Sequence, residues 1–154
     1  MKKKESANLE SEFAFQAERR KLSCFSRENL IEASLLSKKA LMLQVQLGAG
    51  KNIDLSRFVS QINLMPSESV VKKTATSSLI DLVAAQTLLL RKLEQILKEA
   101  NLVEYLDSQP KHKPIDLRKI AASVNLTEWE ALNFVRKLKL KTIETLSIVL
   151  VFPK

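Results

Sequence analysis

The chain has 154 residues, 45% of them hydrophobic, and a formal net charge of +8. That length allows one domain, or a domain with a substantial appendage, and the positive charge favours nucleic acid, anionic lipid or an acidic protein as a partner. A single cysteine excludes an intramolecular disulfide and favours a reducing compartment. No apolar run approaches the ~20 residues of a membrane span. We therefore expect an intracellular protein of the cytoplasm or nucleus that is not bound to a membrane.

The first predicted helix covers about residues 9–25. Acidic side chains near its start and basic ones near its end suit the helix dipole. We expect one stripe of this helix to face the core, and that stripe contains Leu9, Phe13, Ala17 and Cys24. The lone cysteine is therefore expected to be a small buried hydrophobe.

Two shorter helical segments are predicted next. Ser26 can cap a second helix, which should end at one of the only two glycines in the chain, Gly48 or Gly50. Asp54 can cap a short third helix over residues 55–64, which a following proline ends.

The longest predicted helix covers about residues 78–106. Ser78 and Asp81 form a pair at its start that resembles a capping box. Its apolar residues recur at intervals of three and four, and the polar Gln86 interrupts them. Such a stripe suits the core of a bundle or the seam of a coiled coil. We favour the bundle, because the shorter helices before it need a surface on which to pack.

A polar segment with two prolines, residues 107–114, predicts a linker or turn. We therefore place a helical bundle at residues 1–107 and a second domain at residues 108–154. In residues 141–152 apolar and smaller side chains alternate with a period of two, which predicts one terminal strand. The side chains expected to face the core are Leu146, Ile148, Leu150 and Phe152.

Residues 117–138 carry the pattern of two short helices joined by a tight turn. The small Ala121 stands where the helices would cross, and Asn125 tolerates the left-handed backbone that ends the first helix. Apolar side chains on both helices, among them Ile120 and Phe134, can close the angle between them. This segment resembles the helix-turn-helix superfamily.

The whole C-terminal part resembles a winged-helix domain. The resemblance implies a mainly α fold, in which an N-terminal helical bundle precedes a winged-helix-like helix-turn-helix with one terminal strand. The end of the long helix would be the first helix, residues 115–125 the second, residues 127–140 the third and residues 142–152 the first wing strand. No second wing strand is evident, so another chain, or residues 113–116, could complete the open strand edge.

In this superfamily the second helix of the motif enters the DNA major groove. The resemblance implies base or phosphate contacts for Thr127 and Asn133. Cations on both sides of the motif could hold phosphates and fix the position of the protein, and these are Lys111, Lys113, Arg118, Lys119, Arg136, Lys137, Lys139 and Lys141. The last four also have a structural interpretation, as favourable charges at the C-terminus of a helix.

A second interpretation is a protein-interaction or scaffold subunit. Glu128 and Glu130 do not suit phosphate contacts, although both would also stabilise a helix N-terminus. Trp129, with Leu132 on the same helix, would anchor a protein partner if it lay on the outer face. Alternatively, Trp129 would cover the core beside the terminal strand. In this interpretation the long helix, Trp129 and the terminal strand dock another protein or a second copy of the chain.

The residue types needed for catalysis or metal binding are sparse. There is one histidine, one cysteine and no glycine-rich loop, so no zinc site or phosphate cradle is predicted. His112, between two lysines, is expected to be an exposed loop residue. We therefore expect a non-enzymatic binding protein without a cofactor. DNA is the leading partner, in a regulatory or chromosome-associated role, and a protein partner or homo-oligomer is the alternative.

Overall fold

The computed structural model describes residues 2–111, 113–145 and 148–153, and their side chains from residue 11 onward. Over these residues the fold is mainly helical, as predicted, with seven helices and three short strands. The chain divides into two compact units, Met1–Glu94 and Gln95–Lys154. The division falls within the longest helix, whereas the sequence-based boundary was placed after Asp107, where that helix ends.

Unit 1 is a helical bundle. It contains α1 (Lys2–Leu22), α2 (Arg27–Gly48), α3 (Ser56–Asn63), α4 (Glu68–Lys73) and the first part of α5 (Thr76–Asp107). Its buried core is made by residues of four of these helices, namely Leu22, Leu30, Val71, Leu79, Val83 and Ala84.

The helix caps in the bundle agree in part with those predicted from the sequence. The Ser26 hydroxyl accepts a hydrogen bond from the Asn29 N–H at 3.2 Å, and α2 ends at Gly48, as predicted. Asp54 accepts from the Ser56 N–H at 3.0 Å just before α3. Helix α4 was not predicted, and the expected capping pair at the start of α5 was wrong. That helix begins two residues earlier, and the carboxylate of Asp81 instead pairs with Arg19 Nε at 2.7 Å.

The face that α1 buries differs from the predicted stripe. Phe13 is 71% exposed, and Ala17 and Cys24 are also exposed, so the expected burial of Cys24 was wrong. Leu22 and the carboxylate of Glu18 lie inside instead, each 6% exposed. The predicted stripe did not include Glu18, which accepts a hydrogen bond from Arg91 Nη1 at 2.6 Å, and this partner lies 73 positions away. The side chain of Leu9 lies outside the described residues.

Unit 2 combines the end of α5 with three strands and two helices. These are β1 (Ile115–Asp116), α6 (Leu117–Ser123), α7 (Glu128–Lys137), β2 (Lys141–Glu144) and β3 (Val149–Phe152). The strands form an antiparallel sheet in the order β1-β3-β2. Leu102 and Leu106 of α5, Ile120 of α6 and Val135 of α7 pack around Val151 of the sheet in one core.

The prediction of one terminal strand was wrong, because two strands within residues 141–152, β2 and β3, pair antiparallel. The Thr145 N–H donates to the Ile148 carbonyl at 2.9 Å, and the Ile148 N–H donates to the Thr145 hydroxyl at 3.1 Å, which turns the chain between β2 and β3. A second hairpin strand is therefore present. The other edge of β3 pairs with Ile115–Asp116, one of the two completions that the sequence allowed. The edges of β3 are thus occupied on both sides.

The face of β3 that meets the core was also predicted wrongly. Val151 is completely buried and Val149 packs against the same core, whereas Leu150 and Phe152 are only half-buried. Leu146 lies outside the described residues. Residues 148–152 are apolar on both faces of the strand, so the alternation could not choose between them, and the pairing register decides which face is inward. Val151 is set between Ile115 and Thr142 by that register.

We expect Val151→Ala to destabilise unit 2 more than Leu150→Ala, although it removes fewer carbon atoms. Removing two buried methyl groups costs about 2 kcal/mol with the cavity included, and the half-buried Leu150 contributes less. Urea unfolding followed by far-ultraviolet circular dichroism measures both variants. A larger loss for Leu150→Ala would show that the other face of β3 forms the core.

Candidate nucleic-acid interface

Helices α6 and α7 form the predicted helical hairpin. Asn125 has φ 56°, the left-handed conformation expected of it, and the Leu126 N–H donates to the Ala121 carbonyl at 2.9 Å. Ala121 of α6 and Ala131 of α7 are both buried in the core of unit 2. The short turn thereby fixes the direction in which α7 leaves α6.

The start of α7 is held by a capping box. The Thr127 hydroxyl accepts from the Glu130 N–H at 3.1 Å, and Glu130 Oε1 accepts from the Thr127 N–H at 3.3 Å. Glu130 Oε2 also accepts from Lys98 Nζ at 2.8 Å. The hydrogen bond from Lys98 is the largest cause that lowers the pKa of Glu130 below its ordinary value, and the bonds with Thr127 lower it further. Thr127 and Glu130 therefore serve α7 itself.

Three of the predicted phosphate-binding cations are in ion pairs. Arg118 Nη2 lies 3.0 Å from Asp116 Oδ2, Arg136 Nη2 lies 3.3 Å from a carboxylate oxygen of Glu144, and Lys137 Nζ lies 2.8 Å from Glu99 Oε2. The Arg118 side chain, together with the Arg118 N–H, lowers the pKa of the Asp116 carboxyl. These three cations have carboxylate partners already, so they offer less net charge to a phosphate.

The other five predicted cations are exposed lysines with no ion pair among the described residues, and four of them lie in the two chain segments that lead into β1 and β2. We call Lys111, Lys113, Lys139 and Lys141 the lysine cluster. The first two precede β1, and the last two precede and begin β2. Ile115 and Thr142 both pair with Val151, so β1 and β2 begin on opposite sides of the last residues of β3. With neighbouring strands about 4.8 Å apart, the two starts are separated by about 10 Å. The fifth lysine, Lys119, is on α6.

Two members of the lysine cluster have a structural feature in addition to their exposed charge. Lys139 has φ 57° two residues after the last residue of α7, and the following Leu140 N–H donates to the Val135 carbonyl at 3.2 Å. A left-handed residue at this position is usually glycine, because a Cβ makes the conformation costly. Lys141 Nζ lies 5.8 Å from the centre of the Phe152 ring, within the range of a cation–π contact.

The outer face of α7 carries Trp129, which is 66% exposed. The alternative in which Trp129 covers the core is therefore wrong. Glu128 beside it is exposed, and so is Asn133 one turn along the helix. Leu132 is half-buried and packs against the core of unit 2, so it contributes less to this outer face than predicted.

Sequence reasoning did not find three residues that position this interface. Asp116 caps α6, accepting from the Arg118 N–H at 2.9 Å, and an aspartate before an apolar helical segment is a recognisable signal. Lys98 and Glu99 pair with residues of α7 that lie more than thirty positions away. No local sequence pattern indicates such long-range ion pairs.

Metal and membrane features can be stated only for the described part of the chain. Within it, no group of three or more metal-ligating side chains converges, and no helix is both long and apolar enough to cross a membrane. His112 lies outside the described residues.

Comparisons with known proteins gave no similarity, since no family model, no curated protein and no solved structure matches this chain. Function must therefore be inferred from the side chains of this chain. The two groups that stand out in unit 2 are the lysine cluster and the exposed Trp129.

We expect Glu130→Gln to cost about 1 kcal/mol at neutral pH, because it removes the ion pair with Lys98 but leaves an oxygen for the capping box. The lowered pKa makes this contribution complete above pH about 4.5, the ordinary value for the carboxyl, and it is lost as the pH falls through the folded-state pKa. Urea unfolding of both proteins across this range should show the difference shrinking in acid. Lys98→Gln should show the same convergence, and a difference independent of pH would contradict the role of the ion pair.

Proposed function

We propose that this is a non-enzymatic, intracellular binding protein whose C-terminal unit is a winged-helix-type domain that binds nucleic acid, with duplex DNA as the leading ligand. The end of α5 and helices α6 and α7 would be its three helices, and the β2-β3 hairpin its wing. The single observation that carries the binding proposal is the lysine cluster, which the sheet register assembles from two separate segments.

Phosphate binding is what the lysine cluster suits best. Four exposed lysines belong to the segments that lead into β1 and β2, the two neighbours of β3, and none of them has an ion-pair partner among the described residues. Lysines that neutralise phosphates release counterions, and this supplies most of the affinity for nucleic acid that does not depend on sequence. Phosphate contacts also fix the position of a protein on a duplex without reading it. We therefore propose binding that is strongly salt-dependent and weakly sequence-specific.

Readout of bases by α7 is a smaller part of this proposal. Thr127 is engaged in the capping box, and Glu128 with Trp129 occupies the leading end of the helix. An exposed carboxylate there would repel the backbone of a duplex. Asn133 is exposed on the same face and remains the residue with the right chemistry for an adenine edge.

Removing charge from the lysine cluster tests the proposal. We expect Lys139→Gln/Lys141→Gln to weaken binding to a labelled duplex and to flatten its salt dependence, since the slope of log affinity against log salt is about −0.9 for each phosphate neutralised. The matched control is Lys39→Gln/Lys73→Gln, which removes the same charge from exposed positions in unit 1. Fluorescence anisotropy at two salt concentrations measures all three proteins. No binding at low salt, or an equal loss in the control, would contradict the proposal.

Lys139→Gly separates binding from folding. Glycine relieves the left-handed strain at this position, so the variant should be as stable as the parent or up to about 1 kcal/mol more stable, even with the entropy that glycine adds to the unfolded chain. We expect its affinity for the duplex to fall nonetheless. Urea unfolding and anisotropy on the same preparation provide both values, and unchanged affinity would remove Lys139 from the interface.

Docking to a protein is the second candidate function, and the exposure of Trp129 favours it. A large aromatic side chain on an outer helix face is typical of the residues that dominate protein interfaces. The neighbouring exposed Glu128 selects a partner whose apolar pocket has a basic rim. The terminal strand, by contrast, is a weaker candidate for docking, because β3 is already paired on both edges.

Photo-crosslinking tests this second function. A benzoylphenylalanine at position 129 should give one adduct of defined mass in cells, whereas the same residue at the exposed position 13 of unit 1 should not give that adduct. Trp129→Ala should lose the partner while its stability stays within about 0.5 kcal/mol and its duplex affinity is kept. Identical adducts at both positions would mean that Trp129 does not define an interface.

A further inference from the structure

Helix α2 has two apolar faces, and only one of them packs in the bundle. Leu30 and Leu41 are completely buried on the inner face. About 130° around the helix axis, Leu36, Leu43 and Leu47 are 56%, 58% and 63% exposed. Single exposed leucines are common on protein surfaces, but several on one face of one helix form an apolar strip of the kind found at interaction surfaces. The proposed function does not use this face.

The spacing of these leucines is that of a coiled-coil seam. Together with the half-buried Ala40 they occupy residues 36, 40, 43 and 47, which are separated by four, three and four positions, as the apolar positions of a heptad repeat are. We call these four residues the α2 seam. It is about 16 Å long. At this spacing the side chains of a second helix fit between those of the first, so the α2 seam suits a helix as its partner.

The region of the α2 seam is uncharged, whereas the chain as a whole is strongly basic. No charged residue occurs between Lys39 and Lys51, which is the longest uncharged stretch of the sequence, and the net charge of the chain is +8. Two copies of such a chain repel each other over most of their surface. An apolar seam without charges avoids that repulsion and offers nothing to a charged partner. The charge distribution therefore favours a second copy of the chain as the occupant.

We propose that the α2 seam pairs with the α2 seam of a second copy, antiparallel and about a two-fold axis that passes between residues 41 and 42. In this register Leu36 packs against Leu47 of the second copy, and Leu43 packs against Ala40 of the second copy. A large side chain thus meets a small one on each side of the axis, and two leucines close each end of the seam. A parallel pair would instead place Ala40 against Ala40, which leaves a gap without dispersion contacts.

The residues beside the α2 seam fit the same register. Lys39 is exposed and lies opposite the exposed Gln46 of the second copy, so the two copies of Lys39 do not face each other. The amide oxygen of Gln46 can accept a hydrogen bond from the ammonium group. Because the seam is short, we expect a dimer with a micromolar dissociation constant and not an obligate one. The inference concerns unit 1 alone and does not depend on nucleic-acid binding by unit 2.

Sedimentation velocity of the full chain tests the self-association. The weight-average mass should rise from that of a monomer toward that of a dimer as the concentration rises through the micromolar range. Leu43→Lys places like charges beside the axis, so it should weaken the dimer at least about 30-fold. Leu64→Lys is the matched control, because Leu64 is 84% exposed outside α2, and it should leave the dimer unchanged. A parent that stays monomeric up to millimolar concentration, or an equal loss in the control, would overturn the proposal.

Mixing oppositely charged variants tests whether the occupant is a second copy. Neither Leu43→Lys nor Leu43→Glu should self-associate, but an equimolar mixture should form a dimer with one chain of each, because opposite charges then meet beside the axis. Native mass spectrometry identifies this mixed dimer, and circular dichroism confirms that each variant is folded. A mixture of folded variants that stays monomeric would mean that the seam does not pair with itself.

Disulfide cross-linking tests the antiparallel register. Cys24→Ser removes the single cysteine, which is exposed. In that background, Leu36→Cys and Leu47→Cys chains oxidised together should form a mixed disulfide dimer, since these positions face each other across the seam. Each chain oxidised alone should cross-link much more slowly. Rapid cross-linking of the Leu36→Cys chain with itself would show parallel helices and overturn the proposed pairing.

Discussion

The pairing of β3 on both of its edges is the interaction on which the C-terminal unit depends. It joins Ile115–Asp116, which come before the helical hairpin, to the strand that comes after it. It turns Val151 into the core formed by α5, α6 and α7. It also brings the starts of β1 and β2, where the two segments of the lysine cluster enter the sheet, to the same end of the sheet. Stability and the candidate interface thus have the same physical origin.

The charges of unit 2 fall into two groups with different consequences. One group consists of pairs that fix helices, as Lys98 does with Glu130 and Arg118 does with Asp116. Ion pairs at or near the surface contribute at most about 1 kcal/mol each to stability, but they reduce the charge available to a ligand. The other group consists of lysines without described partners. The net charge of the chain does not distinguish the paired cations from the lysines without described partners. The second group is the one available to bind a polyanion.

Unit 1 shows two ways of burying a polar side chain in a helical bundle. Glu18 is 6% exposed, and its carboxylate is satisfied by Arg91 at 2.6 Å. Gln86 is 2% exposed, but its carbonyl oxygen has no partner among the described residues. In the sequence, Gln86 interrupts the apolar stripe of the long helix, whereas Glu18 lies outside the stripe predicted for the first helix. Tertiary contacts decide the outcome, because a partner far along the chain satisfies Glu18 and no described residue donates to the Gln86 oxygen.

The sequence by itself determined the helical class, the Ser26 cap, the end of α2 at Gly48 and the left-handed Asn125, because each depends on residues within a few positions of one another. It also singled out Trp129 and every member of the lysine cluster. Only the tertiary structure decided which face of α1 and of β3 is buried, that residues 141–144 and 149–152 pair as two strands, and which cations are paired. Those features depend on strand register and on partners far along the chain. Local spacing carries no information about which distant group will satisfy a charge or cover a side chain.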